Sequence, residues 1–339
     1  MKAREIPLEE AVGLTLAHDL TGITPGGQKG AVFRRGHVVQ EHDLDLLRTI
    51  GKSYLKILEL APDDVHEDDA AERLAHLLAG DGIEVTMPGE AWANLVATRT
   101  GLLKVDAGRL RHLNLLDDLL VATRHNDSPV QVGDVVAKAK VRGLVVANTV
   151  LEHAAELAAG PAHVLRVLPY CTMQVGAVIT GREIYEGRVK DAFAPLLRKR
   201  LEDYGSTLVH TEIVPDEVTE VSRGIVTALA ADVDMVFVTG GGSPDDCTSE
   251  SIRNTADEVV FHGVPVSPGA MGVLAYAGAI PILGVPAGLL ARSRGFLDLI
   301  LPRLLAGERL THDEVADYGH GGLCLSCPVC VFPACPFGK

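Results

Sequence analysis

The stretch Val238-Thr-Gly-Gly-Gly-Ser-Pro-Asp-Asp246 sets three glycines beside two carboxylates at the end of an apolar run. Glycines allow successive backbone N–H groups to converge on an anion. Asp245 and Asp246 are hard oxygen donors suited to Mg²⁺, which can bridge carboxylates to a phosphate. The same residues also suit a tight turn followed by a helix cap, and spacing alone leaves both readings open. Two better-known phosphate loops do not fit. No Gly-x-x-x-x-Gly-Lys occurs, and Gly-x-Gly-x-x-Gly fails at Asp245. Ser243 is not in a Gly-x-Ser-x-Gly elbow either.

Two more loops carry similar residue types. Thr180-Gly-Arg-Glu-Ile-Tyr-Glu-Gly-Arg-Val-Lys-Asp191 offers Thr180, Glu183 and Asp191 as oxygen donors, with Arg182, Arg188 and Lys190 able to meet a phosphate. A solvated loop ending in a helix cap at Asp191 is the competing reading. Val266-Ser-Pro-Gly269 and Gly284-Val-Pro-Ala-Gly288 each end an apolar run at a Pro or Gly turn.

The second chemical signal is Cys324-x-x-Cys327-x-x-Cys330-x₄-Cys335-Pro336. Four thiolates at this spacing suit an Fe–S cluster, although the last gap is one residue longer than in a ferredoxin-type run. They equally suit tetrahedral Zn²⁺, with His320 as a spare ligand, and a redox-active thiol tail is the third reading. Cys171 is expected to pack beside the first strand of the α/β region, and Cys247 as a small buried thiol beside the Gly-rich turn. The 13 His show no metal-pair spacing, and His210 and His262 are expected at strand ends.

Periodicity places these loops. Val175–Thr180 is an apolar run of buried-strand type, Thr207–Val214 reads as the next strand and Met235–Thr239 as a third, charge-free one. Helical spacing fills Val189–Tyr204 up to Gly205, and a helix capped by Asp216 presents Val218, Val221, Ile225 and Leu229. The next helix is expected near Thr248. Strands alternating with crossover helices imply a parallel sheet, and ligands bind beyond the carboxyl ends of such strands.

Upstream, Leu8, Ala11 and Val12 suggest a helix, followed by a turn at Thr24-Pro-Gly-Gly27 and a hairpin over Ala31–Val39 around Gly36. Helices are expected over Asp43–Ile50, Asp68–Leu78 (stopped by Gly80) and Thr149–Ala159, with a strand at Tyr54–Leu58. Val130–Ala137 reads as strand-turn-strand and Pro161–Pro169 as a linker. The expected organisation is 1–60, a mixed α+β region 61–168, an α/β domain 169–310 and a Cys-rich tail 311–339.

Composition agrees with an α/β protein of two or three domains, since 339 residues include 47% hydrophobic but only 4% aromatic side chains. Cores must then be built from Ala, Val, Leu and Ile. A net charge of −14 argues against a nucleic-acid or anionic-membrane surface. MKAREIPLEE lacks the apolar core of a signal peptide, so a cytoplasmic location is expected. Ala270–Ala291 carries no charge, but its repeated Gly and Pro favour buried strands and turns over a membrane span.

Residues 170–308 resemble the molybdopterin-binding domain shared by molybdopterin adenylyltransferase and molybdopterin molybdotransferase. The resemblance rests on Ala177-Val-Ile-Thr-Gly-Arg-Glu-Ile184, Gly187-Arg-Val-Lys-Asp191, Thr239-Gly-Gly-Gly-Ser243 with Asp245 and Asp246, Ser267-Pro-Gly269 and Gly284-Val-Pro-Ala287. Residues 1–60 and Val130–Val146 are more distantly similar to N-terminal parts of the molybdotransferase.

The resemblance implies a three-layer α/β/α sandwich that grips molybdopterin. Thr180, Gly181, Glu183, Thr239, Gly240, Gly241, Gly242, Ser243, Pro268, Gly269 and Pro286 would contact the cofactor, while Asp191, Asp245 and Asp246 would act with Mg²⁺. It further implies nucleotidyl or molybdate transfer involving ATP or AMP, a homo-oligomer, and a role in molybdenum-cofactor biosynthesis. Three departures favour a second expectation. Ala192-Phe193 stand where the family has Ser-Asn, Ala270-Met271 where it has Lys-Pro, and Ala287-Gly288 where it has Gly-Asn. A non-catalytic pterin-delivery protein would then dock a client molybdoenzyme through its metal tail. Hydrolysis of a nucleotide pyrophosphate is a third expectation.

Overall fold

The computed structural model describes residues 2–16, 19–23, 29–35, 37–59, 63–89, 91–240, 246–292 and 294–339. The chain divides into two compact units. The first comprises Met1–Thr98, Val105–Arg124 and Gly133–Arg166; the second comprises Arg99–Lys104, His125–Val132 and Val167–Lys339.

In the first unit, strand Lys2–Pro7 pairs antiparallel with Tyr54–Glu59. The expected opening helix is a single 3₁₀ turn, Leu8–Ala11, because the strand ends only at Pro7 and Gly13 turns the chain at φ +84°. Ala31–Val39 is not a hairpin of its own. Lys29–Phe33 pairs back onto Leu20–Ile23, and Val38 makes one bridge with Thr15. Gly36 and the Thr24–Gly27 turn lie outside the described residues.

Helix Glu67–Leu78 buries Ala70, Ala71, Leu74, Ala75 and Leu78 against a four-stranded antiparallel sheet. That sheet runs Ile83–Gly89, Trp92–Ala97, Val135–Val141, Leu119–Thr123 in spatial order. Gly80 is not the helix's stop signal. A Cβ there would lie 2.6 Å from His163 Cβ and 2.8 Å from the Leu165 carbonyl, so Gly80 permits close packing. Pro161–Pro169 is not a free linker, since Leu165–Pro169 is a strand with Leu165 and Val167 buried on its alternate positions. Val130–Ala137 does hold a strand, a turn at Gly133 and a strand, but the two strands join different sheets.

The second unit carries a six-stranded sheet. In chain order its strands are β1 (Gln174–Thr180), β2 (Thr207–Val214), β3 (Met235–Gly240), β4 (Glu258–His262), β5 (Val273–Ala277) and β6 (Ile280–Pro286). The spatial order is β2-β1-β3-β6-β5-β4. The first four strands of that order run parallel; β5 runs antiparallel to β6, and β4 at the edge pairs antiparallel with β5 and so regains the direction of the four.

Both faces of the central strands are covered, which is why β1 and β3 read as continuous apolar runs, while the edge strands β2 and β4 are partly exposed. Odd positions such as Ala177, Ile179, Phe237 and Leu283 share one core with Leu197 and Leu201 of helix Phe193–Glu202 and with Phe296 and Ile300 of helix Phe296–Leu305. Even positions such as Val178, Val236, Val238 and Ile282 share the other core with Val221 and Ile225 of helix Val218–Leu229 and with Ile252 of helix Thr248–Thr255. The domain is therefore a three-layer α/β/α sandwich with a mostly parallel sheet.

Several local details differ from expectation. The helix expected over Val189–Tyr204 begins only at Phe193, because Asp191 caps it there, and Gly205 closes its end at φ +75°. Asp216 does not cap the Val218–Leu229 helix; its Oδ1 accepts the Arg182 backbone N–H at 2.7 Å. Cys171 is exposed rather than packed, with its backbone N–H bound to the Leu305 carbonyl at 2.7 Å. His210 lies inside β2 and only His262 ends a strand. The charge-free segment folds as β5, β6 and a short 3₁₀ turn. No helix among the described residues is long and apolar enough to cross a membrane.

Candidate functional site

The parallel strands β1, β3 and β6 bring Thr180, Thr239–Gly240 and Pro286 to one edge of the sheet. Register fixes this, since Gly240 is the Cα partner of Pro286. The two threonines lock the strands together. Thr180 N–H donates to Thr239 Oγ1 at 3.1 Å, and Thr180 Oγ1 donates to the Thr239 carbonyl at 2.6 Å. Both residues are buried, so these bonds satisfy groups whose exposure to an apolar core would cost about 1–3 kcal/mol each.

The helix Thr248–Thr255 starts beside this edge. Asp246 Oδ1 accepts the Thr248 backbone N–H at 2.8 Å, and Thr248 Oγ1 reaches the Thr239 carbonyl at 3.5 Å. Asp246 thus takes the helix-start role weighed for it, while its second oxygen lies close to Gly240. A Cβ on Gly240 would fall 2.1 Å from Thr248 Oγ1 and 2.8 Å from Asp246 Oδ2. Gly240→Ala is therefore expected to push the helix start away from the strand, destabilising the protein by about 1–3 kcal/mol as overpacked sites do. A thermal melt of the variant checks this.

A small cavity, about 20 Å³, opens here between Gly240, Asp246, Thr248, His262, Met271 and Pro286. It has room for one water-sized group. Thr248, His262 and Met271 were not singled out as site residues by sequence. Thr248 carried one signal, its place at the first turn of a helix. His262 and Met271 reach the cavity only through the antiparallel strands β4 and β5.

The remaining candidates divide. Gly241, Gly242, Ser243 and Asp245 lie outside the described residues. Gly181 heads the short helix Arg182–Tyr185 at φ +142°, and Glu183 is exposed on that helix. Asp191 uses both carboxylate oxygens on backbone, accepting the Phe193 N–H at 2.7 Å and the Ala194 N–H at 3.1 Å. Pro268 and Gly269 sit on the start of helix Phe296–Leu305. The Phe296 N–H donates to the Pro268 carbonyl at 3.0 Å. Gly269, at φ +103°, leaves no space for a Cβ, which would meet Phe296 Cβ at 2.8 Å.

Cys247 is half-buried. Burial, helped by the charges of Asp246 and Asp216, pushes its thiol up to about 11, so it stays protonated at neutral pH and acts as packing. The C-terminal cysteines are arranged differently. Cys324 and Cys335 pack against the core of the second unit, while Cys327 and Cys330 are exposed. The tail is tied to the Ser267-Pro268-Gly269 turn: Ser267 N–H donates to the Gly322 carbonyl and Cys324 N–H to the Ser267 carbonyl, both at 2.8 Å. Arg294 hydrogen-bonds Cys330 and stacks its guanidinium 5.1 Å from the Phe332 ring centre. Among the described residues, no three His, Cys, Asp or Glu side chains are grouped so as to share a metal ion.

Residues 176–306, which hold this edge of the sheet, match the family model of a probable molybdopterin binding domain. This segment is similar to that family's domain, and the match covers less than half of the chain. Residues 5–59 match a domain of unknown function. Among curated relatives, a CinA-like protein of Mycobacterium leprae is 36% identical over 81 residues, 23% of this chain and 19% of that protein. A CinA-like protein of Mycobacterium avium is 33% identical over the same length and shares. The match thus spans about a fifth of the length of these relatives. Among solved structures, the molybdopterin biosynthesis enzyme MoaB of Thermus thermophilus is 24% identical, with 40% of this chain and 98% of that one covered at a TM-score of 0.34.

Proposed function

We propose that the molybdopterin-binding domain grips the phosphate end of a molybdopterin-type pterin, and that the protein serves the biosynthesis or insertion of that cofactor. One observation carries the reading: Thr180, Thr239, Gly240, Asp246, Thr248 and Pro286 converge at the carboxyl ends of parallel strands. That is where open α/β sheets bind ligands. Backbone N–H groups of the Gly-rich turn and the positive end of helix Thr248–Thr255 would meet the phosphate. Mg²⁺ held by Asp245 and Asp246 would neutralise charge there.

Transfer chemistry with ATP or AMP is the finer possibility within this reading. The arrangement favours binding and delivery over it. Asp191 spends both oxygens on the cap of its helix. Ala270 and Met271 supply no ammonium for an anion. The spacing of Cys324, Cys327, Cys330 and Cys335 suggests an Fe–S cluster or Zn²⁺, but two of these thiols pack against the core and two are exposed, so as arranged here the tail does not fit either metal.

Anaerobic purification with pterin fluorescence and metal analysis on one sample tests both parts. Bound pterin is the expected result. Asp246→Asn is expected to weaken binding of added molybdopterin tenfold or more, the usual consequence of losing a charged partner worth about 1.5–3 kcal/mol. Wild-type protein that neither carries nor takes up pterin would sink the reading. Adenylylation or AMP release on turnover would decide for transfer over delivery.

A further inference from the structure

The chain has one tryptophan, and it stands in the first unit, which holds none of the residues assigned to the pterin site. Trp92 lies on the sheet face opposite the Glu67–Leu78 helix. Strand alternation puts Ala93, Leu95 and Ala97 into the core and leaves Trp92, Asn94 and Val96 half-buried on the other side. Lys138 and Lys140, on the neighbouring strand, share that outer face because Ala139 and Val141 between and after them are fully buried.

Two cavities, about 230 Å³ and 490 Å³, are both lined by Trp92 and Asp19. Sizes of this order suit a small organic ligand, for which roughly 300–1,000 Å³ is usual. The smaller holds Lys140, Glu67 and Asp68, and its Lys140 ammonium sits 5.6 Å from the Trp92 ring centre. Burial raises the Glu67 carboxyl above its usual range. Its three carboxylates, Asp19, Glu67 and Asp68, outnumber the one ammonium and do not suit an anion.

The larger cavity has the opposite excess of charge. Among the described residues it holds Arg34, Lys138 and Met87 with a single carboxylate, Asp19. Asp19 Oδ1 accepts the Arg35 backbone N–H at 2.7 Å, while the Arg35 side chain pairs with Asp68 and Asp69. Among the described residues, neither Arg34 nor Lys138 forms an ion pair. On a chain of net charge −14, two such cations beside an aromatic ring are an unusual juxtaposition. They match an aromatic heterocycle that carries a negative group.

We propose that this cavity binds a nucleoside phosphate. The base stacks on Trp92 and packs on Met87, while Arg34 and Lys138 take the phosphate. Base–aromatic stacking tolerates any nucleobase, and Arg and Lys suit phosphate as fork and point charge respectively. Nothing in this site depends on pterin binding by the second unit.

Trp92 is its own reporter, because no other tryptophan contributes emission. Excited at the red edge of its absorption band, the full-length protein is expected to show saturable quenching by AMP. Adenosine alone and inorganic phosphate alone should each bind at least tenfold more weakly. Lys138→Glu and Arg34→Glu are each expected to weaken AMP tenfold or more. Both side chains are exposed, so the thermal melt should not move. Absence of saturable quenching by AMP overturns the proposal, as does equal affinity in both charge-reversal variants. If adenosine binds as well as AMP, the phosphate assignment to Arg34 and Lys138 is wrong.

Discussion

Asp298→Ala is expected to destabilise the second unit by about 3–5 kcal/mol, the range for breaking a buried ion pair from one side. The Asp298 side chain is 4% exposed and faces two cations. Arg200 reaches its Oδ1 at 2.8 Å and Arg294 at 2.6 Å, while Oδ2 accepts the Gly295 backbone N–H at 2.8 Å. Alanine would leave two partly buried guanidinium groups without their carboxylate and uncap helix Phe296–Leu305. A fall of roughly 10 °C in the thermal midpoint is the expected reading. Asp298→Asn keeps acceptor geometry while removing charge, so it should cost less. The effect should reach the ligand edge too. Helix Phe296–Leu305 holds the Pro268–Gly269 turn through the Phe296 N–H to Pro268 carbonyl bond. Weaker pterin uptake by Asp298→Ala protein, measured in the cold where it is still folded, would show this coupling. An unchanged midpoint would mean that the arginines find other partners.

The second large effect is an acid limb set by Arg303. This residue is 4% exposed in a helix whose one other charged side chain is Asp298. Its Nε meets Glu308 at 2.6 Å and its second guanidinium nitrogen meets Glu314 at 2.5 Å. Glu308 also takes Lys104 Nζ at 2.6 Å, and Lys104 pairs with Asp127. Burial alone would raise the Glu308 carboxyl. Lys104 and Arg303 outweigh it and hold the group below the usual carboxylate range. Glu314 is likewise lowered, by Thr311 and Arg303 acting against burial.

A folded-state pKa below the unfolded one gives stability that is complete above the unfolded value. That stability is lost as pH falls through the folded value. Unfolding free energy should therefore hold steady near neutrality and drop as pH falls below about 4.5, the ordinary glutamate value. Glu308→Ala should cost about 1.5–3 kcal/mol at neutral pH, because it removes the carboxylate that Arg303 and Lys104 share and leaves Arg303 with Glu314 and Lys104 with Asp127. The same variant should show a shallower acid limb. Urea titrations of both proteins from neutral pH into the acid range measure the two effects, and parallel acid limbs would refute the assignment to Glu308.

How much of this was legible beforehand varies by element. The α/β/α domain was readable because its central strands are buried on both faces and so appear as unbroken apolar runs, such as Val175–Thr180 and Met235–Thr239. The loops after those strands followed from the same rule. The helix near Thr248 was readable from an acidic cap before a helical run. Local signals misled where tertiary pairing competed with them. Leu8, Ala11 and Val12 have helical spacing, yet the strand pairing of Lys2–Pro7 with Tyr54–Glu59 leaves them one 3₁₀ turn. Pro161–Pro169 looked like punctuation, yet Leu165 and Val167 are buried strand positions.

By itself the sequence determined three of the six strands of the α/β domain, where the Gly-rich turn falls, and that residues 170–308 resemble a molybdopterin-binding domain. Those are properties of short windows, where side-chain period and turn residues leave few alternatives. Tertiary structure decided which charges meet. Arg200 and Asp298 lie 98 residues apart in the chain, and Lys104 reaches Glu308 across a still longer interval. It also decided that Asp191 and Asp246 each spend carboxylate oxygen on a helix start, and that Trp92 shares a sheet face with Lys138. Pairing of this kind is set by strand order and register, and no local period encodes either.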